Sequence, residues 1–199
     1  MIFDYKTAKN NFLSGKFQGC KKFFEANGNK LEQAYCEIIL DNLKSARKIF
    51  EDIEQNDARA HWGLIILDFI KGTVSKYPTY FELRNFLEID LNLLIMYCKG
   101  DYVEKIIRYA DFMYTINPEV YKFIGRVFLN NGMKTQAMFF LIRAKDRFYQ
   151  DPELHYIMAE IYYKDGDTDL CKLALEKCLE VLPKYAPAIA LQKTISENI

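Results

Sequence analysis

Little in this sequence points to chemistry, and each shortage removes a class of function. There are two histidines and one tryptophan among 199 residues. Five cysteines occur, at 20, 36, 98, 171 and 178, with no Cys-x-x-Cys spacing and an odd count. That argues against a zinc site or a disulfide framework and fits free thiols in a reducing, cytoplasmic setting. Five prolines and nine glycines make no Pro/Gly/Ser-rich linker, so residues 1–199 read as one continuous unit. No apolar run approaches the length of a membrane span; "LNLLIMYC" is the longest candidate. The start, "MIFDYKTAKNNF", lacks the apolar core of a signal peptide.

Charge is balanced, with 27 basic and 27 acidic residues. A nucleic-acid binder ordinarily shows a basic excess, because neutralising phosphate supplies much of its affinity. The local excess of Lys6, Lys9, Lys16, Lys21, Lys22 and Lys30 over Asp4 and Glu25 reads as a solvated helix face. The 29 Tyr and Phe residues fall at helical spacing, which favours core over base stacking. There is no His-Glu-x-x-His, no Walker glycine loop and no Gly-x-Ser-x-Gly elbow. No nucleophile–base or metal constellation emerges, so neither an enzyme nor a cofactor is expected.

What the sequence does have is a repeat. Tyr121, Ile124, Gly125 and Phe128 stand at i, i+3, i+4, i+7, one stripe of a helix. Thirty-four residues on stand His155, Met158, Ala159 and Tyr162. Ala137, Phe140, Leu141 and Ala144 map onto Cys171, Ala174, Leu175 and Cys178, so those two cysteines read as small packing residues. Asn117-Pro118 and Asp151-Pro152 read as helix N-caps followed by proline in the first turn. Gly132 and Gly166 read as left-handed helix ends.

A four-place template captures the pattern: a small residue, a turn residue seven later, a small residue five after that, a large apolar one four further on. Gly125, Gly132, Ala137 and Leu141 satisfy it, as do Ala159, Gly166, Cys171 and Leu175. Ala8, Gly15, Cys20 and Phe24 do so near the start, and Ala34, Asp41, Ala46 and Phe50 follow with Asp41 in the glycine's place. Turn signals at Gly15, Asp41, Gly72, Gly100, Gly132 and Gly166 give about six hairpins. The region 72–100 is irregular: Tyr77 and Lys105 occupy places where a small residue is expected, and the stretch from Thr79 reads as one helix of about 20 residues.

The spacing and the 34-residue period resemble tetratricopeptide repeats (TPRs). The resemblance is clearest over 118–151 and 152–185. It implies an all-α fold, a right-handed α-solenoid of antiparallel hairpins, with residues 186–199 as a polar capping helix. It also implies a groove lined by the first helix of each hairpin. That assigns Glu119, Lys122, Phe123, Arg126, Leu129 and Asn130 to the groove in one repeat, and Glu153, Tyr156, Ile157, Glu160, Tyr163 and Lys164 in the next. The expected partner is another protein, with a peptide or a helix held by Lys122, Phe123, Arg126, Asn130, Tyr156, Glu160, Tyr163 and Lys164.

Some members of the family clamp a peptide carboxylate with lysine, arginine and asparagine. Here Lys122, Arg126 and Asn130 match in part, and an ordinary solvated face or a basic pair neutralised by Glu160 is the plainer reading. The functional reading is a protein-interaction scaffold or adaptor. The alternative is a regulatory sensor of the same fold that responds to a ligand or peptide. His61, beside Trp62, and His155, at the stripe place of Tyr121, read as structural.

Overall fold

The computed structural model describes residues 4–147 and 150–197. The described residues are helical throughout, with no strand among them. They fall into two compact units, Met1–Asn117 and Pro118–Ile199. The boundary lies at the start of the first clear 34-residue repeat.

In the first unit run α1 (Tyr5–Leu13), α2 (Phe17–Ala26), α3 (Lys30–Ile39), α4 (Leu43–Ile53), α5 (Ala58–Lys71), α6 (Tyr80–Met96), α7 (Gly100–Ile107) and α8 (Ala110–Tyr114). The second unit holds α9 (Val120–Asn130), α10 (Lys134–Arg147), α11 (Pro152–Lys164), α12 (Thr168–Val181) and α13 (Ala186–Glu197). The pairs α1/α2, α3/α4, α9/α10 and α11/α12 are helical hairpins closed by three-residue turns. Residues 198 and 199 of the expected cap lie outside the described residues.

One turn closes seven of the described helices. The left-handed residue's N–H bonds a carbonyl three residues back, and the next N–H reaches back five. Gly132 N–H donates to Leu129 O at 3.0 Å and Met133 N–H to Phe128 O at 2.8 Å. The same pair of bonds closes the ends at Gly15, Gly28, Asp41, Gly72, Cys98 and Gly166. This is how a helix end satisfies its orphan carbonyls.

Gly100 does not play that role. The left-handed residue there is Cys98 (φ 58°), and Gly100 opens α7. Asn117-Pro118 also differs from expectation, for residues 118 and 119 form a turn and α9 begins at Val120. Asp151 does cap α11, accepting Leu154 N–H at 3.2 Å, with Pro152 in the first turn.

The template residues are the hairpin cores. Ala8, Cys20, Ala34, Ala46, Phe50, Ala137, Leu141, Ala159 and Cys171 have no exposed surface, and Phe24 and Leu175 are 1% exposed. At Gly125 the close approach is tight enough to require glycine. A Cβ there would stand 2.7 Å from Leu141 Cγ and 3.2 Å from the Ala137 carbonyl oxygen. Gly63 is under the same constraint from the ring of Phe50, at 2.5 Å.

The irregular region resolves into one long helix with a defined start. Thr79 forms a capping box with Glu82: its hydroxyl oxygen accepts Glu82 N–H at 3.2 Å, and its own N–H donates to Glu82 Oε2 at 2.8 Å. From there α6 does not pair with a neighbour as a hairpin arm. It crosses the earlier helices in reverse order. Near its start Glu82 accepts His61 Nδ1 of α5 at 2.6 Å. At mid-length Asp90 is buried and accepts from Trp62 Nε1 of α5 at 2.7 Å, from Tyr35 OH of α3 at 3.0 Å, and from Arg59. Just past its end, Tyr97 OH donates to Phe12 O of α1 at 2.8 Å, and its ring packs edge-on against Phe12 and Phe17.

Candidate functional site

The left-handed turn residue gives a ruler. The groove positions that the TPR resemblance assigns in α9 lie 13, 10, 9, 6, 3 and 2 residues before Gly132, and those in α11 lie at the same distances before Gly166. Measured from Gly72, 13 and 10 residues back give Arg59 and Trp62; six before Asp41 is Tyr35; three before Gly15 is Phe12. These four residues are among those that hold α6 and the turn after it. In the first unit, therefore, positions that the resemblance assigns to a groove are covered by a helix of the same chain.

The grip is specific. Arg59 lies between the rings of Tyr35 and Phe86, at 5.0 and 4.7 Å from their centroids, and pairs with Asp90. Burial pushes the Asp90 carboxyl up, against the pull of Arg59, Trp62 and Tyr35. Further along α5, Phe69 stacks on Tyr109 at 4.4 Å, so α7 and α8 cover the rest of that face. This accounts for α5 being buried almost all round from Trp62 to Ile70. That run, "WGLIILDFI", reads in the sequence as a helical core stretch, but nothing in it says which element covers each face. Asp90 was missed, because a carboxylate inside "LEIDLNLL" looks like any solvated helix charge.

In the second unit the same positions look different. Lys122 is buried (4% exposed) and its ammonium holds three carboxylates: Asp151 at 2.6 Å, Glu119 at 2.9 Å and Glu153 at 2.9 Å. Burial alone would lower its pKa, but these partners outweigh it and raise the value above the usual lysine range. Arg126 pairs with Glu153. The basic residues form a neutralised pair rather than a free carboxylate clamp. Lys122 faces inward and is already neutralised, and the neutralising groups are Asp151, Glu119 and Glu153 rather than Glu160.

Glu160 instead accepts the Tyr156 hydroxyl at 3.0 Å; burial, and then that bond, push the phenol up to about 12. Phe123 is also buried, beneath the Lys122 and Arg126 cations at 6.0 and 5.8 Å. Tyr156 packs edge-on against Tyr185, at 5.5 Å between centroids. Tyr163, Lys164 and Asn130 are exposed. Of the eight expected site residues, then, Lys122 and Phe123 lie beneath the surface, Arg126, Tyr156 and Glu160 are half-buried, and three stand in solvent.

The histidines sit in structural settings. His61 faces Glu82 and Glu54, and His155 is buried. Cys171 and Cys178 are buried thiols, and burial raises both. Among the described residues no three His, Cys, Asp or Glu side chains converge to hold a metal ion. No helix of the described residues is long and apolar enough to cross a membrane.

No family model matches this sequence, and no curated protein matches it. Among solved structures the chain is similar to that of YrrB, described as a TPR protein with an unusual peptide-binding site. The two are 12% identical, the match covers 94% of this chain and 89% of that one, and the TM-score is 0.44.

Proposed function

We propose that this protein is an interaction scaffold whose second unit binds a helix of another protein on the groove positions of α9 and α11. The observation that carries the reading is α6. In the first unit the chain's own helix lies on those positions and is held by Arg59, Trp62, Tyr35 and Phe12. A surface register that seats one amphipathic helix is suited to seat another.

In the second unit Lys122, Phe123 and Arg126 form a braced floor. Asn130, Tyr156, Glu160, Tyr163 and Lys164 are the groups a partner would touch. Tyrosine offers a large contact area at low entropic cost, with a hydroxyl for hydrogen bonding.

The test is to place a photo-crosslinking phenylalanine analogue at Tyr163 and, as a control, at Ile142, an exposed position on α10. In extracts of the native host, position 163 should capture a discrete partner. The double substitution Tyr163→Ala with Lys164→Glu should weaken that partner's binding about tenfold or more. Capture from position 142 alone, or full binding by the double variant, would dismiss the site.

A further inference from the structure

The two hairpins of the second unit differ, position for position, at one place that reshapes the surface. In α9/α10, Phe140 is nearly buried, with its ring stacked on Tyr121 (centroids 6.4 Å apart) and on Phe128 (5.8 Å). Arg143, one turn on, lies over the Tyr121 ring at 5.1 Å. Thirty-four residues later these places are taken by Ala174, His155, Tyr162 and Lys177. A methyl group stands where a phenyl ring stood.

Beside Ala174, among the described residues, lies an open cleft of about 1070 Å³, lined by those four residues together with Met158 and Leu173. We propose that this cleft is a second binding site, on a neighbouring face of α11, and that it takes a phenylalanine side chain presented by a partner protein. The incoming ring would occupy the place that Phe140 fills in the adjacent hairpin.

The chemistry of the walls suits that occupant. Met158 offers a polarisable thioether, which packs well against aromatic rings. Tyr162 offers a ring at the place where Phe128 stacks on Phe140. Leu173, 51% exposed, and Leu170, 42% exposed, are apolar surface that an inserted ring would cover. The rim carries Lys145 and Lys177 with Asp146 and Glu180, two charges of each sign. The cleft thus selects by shape and stacking rather than by net charge.

Panning a random peptide library displayed on phage against the full chain tests this directly. Selected peptides should share an aromatic residue, with phenylalanine foremost. Ala174→Phe should fill the cleft from within, raise the thermal midpoint, and weaken those peptides about thirtyfold, the scale of a hot-spot side chain. Tyr163→Ala with Lys164→Glu should leave their binding unchanged, which separates this site from the helix-binding face.

Toluene at saturation should shift the Met158 methyl resonance in the original chain and not in Ala174→Phe. Ala174→Leu serves the same purpose if the phenylalanine variant fails to fold. Selected peptides without an aromatic residue, equal affinity for the filled variant, or an unmoved Met158 resonance would each overturn the proposal.

Discussion

Gly125 shows how much one missing carbon decides. The helices α9 and α10 approach so closely there that a Cβ would press on Leu141 and on the Ala137 backbone. Leu141 has no exposed surface into which to retreat. Gly125→Leu should cost about 1–3 kcal/mol or more by overpacking, read as a lowered urea midpoint at unchanged m-value. An unchanged midpoint would contradict the packing. This residue was legible in the sequence, because small residues at fixed offsets are visible in any order of reading. Lys122 was not. Its place in the repeat marked it as groove-facing, but whether a lysine meets solvent or three carboxylates depends on Glu119, Asp151 and Glu153, which stand up to 31 residues away.

Among the elements, α6 separates what propensity specifies from what packing specifies. That one helix follows Thr79 was readable from its apolar spacing, and its start follows from the capping box. Thr79→Ala removes the side-chain acceptor for Glu82 N–H and should lower stability by about 1 kcal/mol, measurable by denaturant unfolding. Glu82→Ala should cost more, since Glu82 is buried and also holds His61. A Thr79→Ala chain as stable as the original would remove the box as a determinant. Where α6 lies was not readable, because Asp90 meets Tyr35 across 55 residues and no local pattern announces that pairing. The turn at Cys98 was misplaced for a related reason. Gly100 is the residue suited to a positive φ, yet the hydrogen-bonded end falls two residues earlier, where Ile95 and Leu94 supply the carbonyls.

For the molecule as a whole, acid should be the weak side. Glu37 is pushed up by burial, but Lys21, Asn42 and Ser45 together hold it below its ordinary 4.5. Asp68 is likewise pushed up by burial and held below 3.8 by Ser75 and Arg47, and Asp41 is lowered by Lys99 and Tyr102. A carboxyl lowered by folding contributes stability that is present above its unfolded value and lost as pH falls through its folded one. Asp90 works with the opposite sign: burial raises it, so its contribution is present below the unfolded value and lost as pH rises through the folded one. The thermal midpoint should therefore drop as pH falls below about 4. Glu37→Gln with Asp68→Asn should flatten that drop while lowering the midpoint at neutral pH. A slope unchanged in the double variant would show that other carboxylates carry the acid response.

The route taken by α6 also bears on how the first unit forms. A ladder of hairpins can grow by local steps, each unit settling on the last. Tyr97 meeting Phe12 across 85 residues does not permit that. Such a closure demands that most of the segment be ordered before its last contact is rewarded, which slows folding. Deleting the first hairpin would then loosen the far end of α6 as well, and the unit should melt in one concerted transition rather than peel away in stages.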